Sequence, residues 1–155
     1  MRKIAEQIFL AAVENVLPDR LIAQQIIVGD NRLVIAGRTF TLSPNRRVYV
    51  LAAGKAAALM AKETEKIMGD LITSGHVVTK YGHGCKLNHL TLTEAGHPLP
   101  DAAGVEATRQ MLALARQAGK DDLVICLLSG GASALMADIP EGATLDELTE
   151  ASELL

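Results

Sequence analysis

The sequence has no tryptophan, two phenylalanines and two tyrosines, so aromatics make up 3% of its 155 residues. Proteins that hold single-stranded nucleic acid stack bases on aromatic side chains, and nucleic-acid binders in general present a basic face. With a formal net charge of −3 this chain has neither feature, and no nucleic acid partner is expected. Cysteine is also scarce. Cys85 and Cys126 make neither a CxxC pair nor a disulfide framework, which points to a reducing, cytoplasmic setting. Long apolar runs are missing as well: the uncharged stretch from Leu123 to Ala137 falls short of the roughly 18 residues a membrane span needs, and it contains adjacent glycines. After Arg2 and Lys3, Glu6 and Gln7 interrupt what would have to be the apolar region of a signal peptide. No membrane partner is expected.

Familiar cofactor signatures are absent too. Gly54-Lys55 invites a P-loop reading, but that motif needs glycine at 49 and serine or threonine at 56, where Tyr49 and Ala56 stand. A GxGxxG fingerprint begun at Gly82-His83-Gly84 meets Leu87 where its third glycine belongs. His83, Cys85 and His89 lack the further Cys or His pair that a zinc site requires. No metal site is read from the sequence.

What is there is an ordinary globule, 49% hydrophobic and 21% charged, of a length that suits one domain. Ile4, Ile8, Ala11, Ala12 and Val16 follow helical spacing, and Leu17-Pro18-Asp19 is read as the end of that helix. Gln25–Val28 and Leu33–Ile35 flank Gly29-Asp30-Asn31 as a short hairpin, with Thr39–Leu42 as a candidate extension. From Arg47 the pattern alternates: strand 47–52, helix 54–68, strand 76–79, strand 90–94, helix 101–118, strand 122–128. Strands rich in Val, Ile and Leu without polar alternation imply a sheet buried on both faces. The expected fold is therefore a three-layer α/β/α sandwich with a mainly parallel, Rossmann-like sheet, preceded by an N-terminal helix and a short hairpin. Asp101 is placed to cap the second long helix and Gly119 to close it. Thr144-Leu145-Asp146-Glu147 is a capping-box pattern, and its helix is still apolar at Leu154-Leu155. That reads as a single truncated α/β domain cut inside a helix.

The most informative segment runs from Asp122 to Pro140. A strand-like run, Leu123–Leu128, breaks into Ser129-Gly130-Gly131-Ala132-Ser133 and then into a helical start. Small residues between a strand and a helix expose backbone N–H groups at the positive end of a helix dipole, a ready place for an anion. The upstream unit, Arg47–Leu51 followed by Ala52-Ala53-Gly54-Lys55, repeats the design and adds an ammonium group. The Glu94-Ala95-Gly96-His97-Pro98 stretch, running on to Asp101, brings further polar groups to a stiff Pro-x-Pro segment, although Asp101 is equally readable as a helix cap alone. In a parallel sheet all these loops would gather at the carboxyl ends of the strands.

Four blocks carry a resemblance: LAAGKAA at 51–57, TKYGHG at 79–84, EAGHPLPDAAG at 94–104 and LLSGGASALM at 127–136. In order and spacing they resemble the class II glycerate kinases, the glycerate 2-kinase family formerly also labelled hydroxypyruvate reductase. Members have longer, two-domain chains with the active site in the cleft between the domains. The resemblance implies ATP- and Mg2+-dependent phosphorylation of D-glycerate to 2-phosphoglycerate, with this chain as one wall of the cleft and inactive by itself. It implies that Lys55 is the active-site lysine and that Gly54 and Ser129, Gly130, Gly131, Ala132 and Ser133 hold an anionic group. Glu94, His97 and Asp101 would form a neighbouring wall. A homodimer, or self-association through a face exposed by truncation, accompanies that reading. Two alternatives stay open: an NAD(P)H-dependent hydroxypyruvate reductase, against which the missing GxGxxG stands, and a non-enzymatic anion- or phosphosugar-binding module.

Overall fold

In the computed structural model, which describes residues 2–154, the chain opens with two helices where the sequence suggested one. Helix α1 (Arg2–Asn15) ends as expected, but Pro18 then starts helix α2 (Pro18–Gln25). Proline suits a first helical position because its missing N–H has no partner there anyway, and its φ is already helical. The Leu17-Pro18-Asp19 signal is thus both a stop and a start, with Asp19 in the first turn facing the positive end of the helix dipole.

The hairpin is present and its candidate extension is a third strand. Strands β1 (Ile26–Gly29), β2 (Arg32–Ile35) and β3 (Arg38–Thr41) form an antiparallel meander. Ile26 and Leu33 turn inward from this unit and, with Ile22 of α2, join the core of the main sheet.

That sheet contains β4 (Val48–Ala53), β5 (Ser74–Lys80), β6 (Thr91–Ala95) and β7 (Leu123–Leu128), all parallel, in the order β6-β5-β4-β7. Helix α3 (Ala57–Met68) covers one face, setting Ala57, Ala61 and Met68 against Val50, Ala52, Val77 and Ile125. Helix α4 (Ala102–Gln117) covers the other, with Ala107 and Met111 on Leu51, Ala53, Val78 and Ala95. Alternate residues of β4 therefore enter opposite cores and all six are buried, as a strand covered on both sides requires. Each large aliphatic side chain so buried contributes roughly 1.5–3 kcal/mol. This is the α/β/α sandwich expected from the sequence.

Some boundaries differ. β5 starts at Ser74 rather than at 76, because Ser74 and Gly75 pair with Tyr49 and Val50 despite their weak strand preference. α4 is capped by Asp101, but it closes through Ala118 in extended conformation, and the Gly119 N–H is instead held by the Asp122 carboxylate at 2.7 Å. The chain continues through a single helical turn, α5 (Ala132–Leu135), to α6 (Leu145–Glu153), whose Thr144–Glu147 capping box is complete. Among the described residues no helix is long and apolar enough to cross a membrane.

One feature of the topology positions the site. After β4 the chain passes to α3 on one face, and after β7 it passes to α5, which packs with α4 on the other. Adjacent parallel strands whose connections leave in opposite directions open a crevice at their carboxyl ends, where ligands settle in open α/β sheets.

Candidate functional site

The crevice between β4 and β7 is lined by the two loops singled out in the sequence. Ladder pairing runs to the last residues, Ala53 opposite Leu128, and continues with Ser129 N–H donating to the Ala53 carbonyl at 3.0 Å. Beyond the strands the loops bond each other directly. Lys55 N–H donates to the Gly130 carbonyl at 3.0 Å, and Ala56 N–H donates to Ser129 Oγ at 3.0 Å. Gly54 makes this approach possible: its φ is +125°, and a Cβ there would overlap the hydroxyl and carbonyl of Ser129. On its other side the Gly54 carbonyl accepts the Thr79 hydroxyl at 2.9 Å, tying the loop to β5.

These bonds change the division of labour among the expected residues. The Lys55 and Ala56 N–H groups at the start of α3 are taken up by the opposite loop and hold the crevice together, while the Ser129 hydroxyl accepts from Ala56 and keeps its own proton free to donate. Among the described residues, the N–H groups of Gly130, Gly131 and Ser133 have no protein acceptor, nor do the Ser133 hydroxyl and the Lys55 ammonium have partners. Lys55, Gly130 and Ser133 are all exposed, while Gly131 and Ala132 are half-buried. The residual donors are thus one cation, the Ser129 and Ser133 hydroxyl protons and backbone amides, a set that suits an anion.

The 94–101 wall joins this rim through His97, whose ring lies against Gly131. Glu94 and Asp101, expected beside the ligand, are committed internally. Glu94 Oε1 accepts the Gly84 N–H at 2.8 Å, which fixes the loop after β5. Asp101 caps α4 by accepting the Gly104 N–H at 2.9 Å and also accepts the Tyr81 hydroxyl at 2.8 Å. Partial burial works against the charge on Asp101, but hydrogen bonds from Gly104, Gly96, Tyr81 and Ala103 outweigh it and hold the carboxyl below its ordinary range. The same bond to Asp101, helped by desolvation, raises the Tyr81 phenol above its ordinary value. Both oxygens of Asp101 accept from protein donors, whereas Glu94 commits only Oε1. Among the described residues no group of three or more His, Cys, Asp or Glu side chains is arranged to hold a metal.

Two contributors escaped the sequence reading. Tyr81, at the end of β5, locks that loop to the α4 cap. Glu65, in the middle of α3 and 5% exposed, accepts the backbone N–H groups of Asn88, His89 and Leu90 at 2.6 to 3.1 Å. It anchors the long connection between β5 and β6. A glutamate on a helix looks solvated until the segment that covers it is known, so no local signal would have revealed this one.

Fold and rim together define a parallel α/β domain with a crevice at its switch point whose loops carry unpaired donors. Residues 4–155 match the protein family described as "Domain of unknown function (DUF4147)". The chain is 34% identical, over 155 residues, to a glycerate 2-kinase of Pyrococcus horikoshii, covering 100% of this chain and 34% of that protein. It is 35% identical over 156 residues to a D-glycerate 2-kinase of Thermotoga maritima, again 100% of this chain and 34% of the relative. A crystal structure of a Pyrococcus horikoshii protein superposes with a TM-score of 0.88 at 34% identity, over 99% of this chain and 34% of that one. The chain belongs to the DUF4147 family and spans about a third of the length of these relatives. Their names agree with the resemblance carried by its four sequence blocks.

Proposed function

We propose that this chain supplies one wall of the active site of a two-domain glycerate 2-kinase, which transfers the γ-phosphoryl group of ATP to the 2-hydroxyl of D-glycerate. The observation that carries this reading is the bond from Lys55 N–H to the Gly130 carbonyl, because it brings an ammonium side chain and unpaired loop amides to one rim of the crevice. Both substrates are anions, and phosphoryl transfer depends on positioning and on groups aimed at the charge that develops. In this reading Lys55 neutralises charge on the transferring phosphoryl group or on the glycerate carboxylate. Gly130, Gly131 and Ser133 donate N–H groups to an anionic oxygen, and Ser133 adds its hydroxyl. Gly54, Ser129 and Ala132 fix the geometry of that turn. His97 borders the rim, held on a loop fixed by Asp101, and Glu94 fixes the neighbouring loop.

Mg2+ accompanies ATP in this reaction. No group of three or more His, Cys, Asp or Glu side chains among the described residues is arranged to hold the ion, so no step is assigned to it here. Cys85 and Cys126 are unpaired, which accords with the cytoplasmic setting that goes with the reading. We also propose that the chain alone is inactive, since one wall cannot exclude water or bring two substrates together. Alone it should self-associate through the apolar strip of Leu112, Val124, Leu128 and Met136, which are 37%, 37%, 60% and 38% exposed.

The test is a coupled assay on the complete gene product with D-glycerate and ATP, with the product identified by 31P NMR. Formation of ADP and 2-phosphoglycerate supports the reading. Oxidation of NADH with hydroxypyruvate and no ATP turnover would replace it by the reductase, and saturable anion binding without either reaction would replace it by a binding module.

A further inference from the structure

The His97 ring makes no hydrogen bond among the described residues, yet its edge is what a side chain at 131 would meet first. A Cβ built on Gly131 would lie 2.5 Å from His97 Nε2 and 2.7 Å from Cδ2, so the ring edge fills the space that a side chain at 131 would occupy. Gly131 holds φ +88° as it leads into α5, a conformation that suits glycine and keeps this notch open. The ring stands on a fixed base. Gly96 packs against the Asp101 carboxylate, whose Oδ2 lies 3.1 Å from where a Cβ on Gly96 would stand, and Asp101 is itself held by Gly104 and Tyr81. On the far side of the notch, Gly130 accepts the Lys55 N–H and Ser129 accepts the Ala56 N–H. An unbroken series of contacts therefore runs from the α4 cap through the imidazole and the glycine turn to the backbone of Lys55.

We infer that His97 is a positioning residue: its ring, seated in the Gly131 notch, sets the 129–133 turn and through it the placement of Lys55. What the notch requires is a flat ring of this size. Neither ring nitrogen has a partner, so shape rather than proton transfer is the property used. Without the ring the turn loses the support that fixes the Gly130 carbonyl, and the Lys55 N–H bond opens more often.

The experiment compares His97→Ala and His97→Phe with the wild type by two readouts. The first is amide hydrogen exchange, which needs no substrate. The Lys55 amide should lose about tenfold protection in His97→Ala, as a local opening does, and regain it in His97→Phe, while the Val50 amide in the sheet stays unchanged in both. The second is steady-state kinetics of the complete gene product, and this arm alone rests on the kinase reading. His97→Ala should lower kcat/KM by up to about 10²-fold, the scale of a small misplacement. His97→Phe should recover to within a few-fold, with an unaltered pH profile. The inference is overturned if Lys55 protection is the same in all three proteins. It is also overturned if His97→Phe is as impaired as His97→Ala, since the ring nitrogens would then be what matters. Should the wild type fail to phosphorylate glycerate, the kinase reading falls while the exchange result still decides the role of His97.

Discussion

The Glu65 carboxylate lies directly against the backbone N–H of Leu90, its Oε1 accepting that hydrogen bond at 2.8 Å. The same carboxylate serves Asn88 and His89, so a single side chain of α3 terminates the connection into β6. Glu65→Ala leaves three amides in a partly buried place without an acceptor. The expected loss is about 2–4 kcal/mol, read as a lower urea midpoint. Glu65→Gln should recover only part of it, because its NH2 group faces other donors. An unchanged midpoint in Glu65→Ala would mean that water replaces the carboxylate at no cost.

Lys55 separates chemistry from stability. Its side chain is exposed and unpaired among the described residues, while its backbone is held by Gly130. Lys55→Met should therefore keep the thermal midpoint of the parent. In the complete gene product it should lower glycerate phosphorylation by about 10²–10³-fold, the usual effect of removing one group that stabilises developing charge. Near-normal turnover would remove Lys55 from the reaction.

Gly54→Ala should fail for the opposite reason. The new methyl adopts an unfavourable φ and enters the space of Ser129, so both the loop and the β4–β7 contact must shift. A loss of roughly 2 kcal/mol or more is expected, together with exposure of the Ala56 amide in hydrogen exchange. A midpoint equal to the parent's would show that the loop relaxes freely.

Acid should act in two windows. His76, 2% exposed, shares a 2.7 Å hydrogen bond between Nδ1 and the Thr91 hydroxyl, and its Nε2 has no partner. Burial pushes its pKa below the ordinary value, against a weaker opposing pull from Glu106. The unfolded chain then binds the proton more readily than the folded one, so stability falls as pH drops through about 6.5, the ordinary histidine value. Asp122 is held at about 2, first by its bond to Arg47 and then by the Gly119 and Arg47 N–H groups. Its contribution is present above pH about 4 and fades toward pH 2. Urea midpoints measured from pH 8 to 3 should show both declines, and His76→Phe should abolish the first alone. A flat profile between pH 7 and 5 in the parent would contradict the burial argument.

Much of this molecule is written locally in the chain, and all but one of the exceptions share a cause. The alternation from Arg47 onward follows apolar run length and helical spacing, so strands, helices and sandwich could be read before any coordinates. The glycine loops were legible because Gly54-Lys55 and Ser129–Ser133 break a strand with residues too small to fill a core. The direction in which the Ser129 hydroxyl points was not legible. It turns toward Ala56, a choice made by the approach of a strand from far along the chain. Glu65 and Tyr81 escaped for the same reason, since their partners arrive from other loops. Pro18 was read only as the ending that it is; that it also opens α2 was missed, because proline after a helix serves equally as an ending and as a first position.

Ala56 and Ser129 are 73 positions apart, yet the hydrogen bond between them helps to join the two loops of the crevice. A growing polypeptide cannot hold that geometry while it is being synthesised until β7 has emerged from the ribosome and docked on β4. Before then the lysine loop has no counterpart, so an early pause or cleavage yields a nascent product with most of its sheet and no crevice.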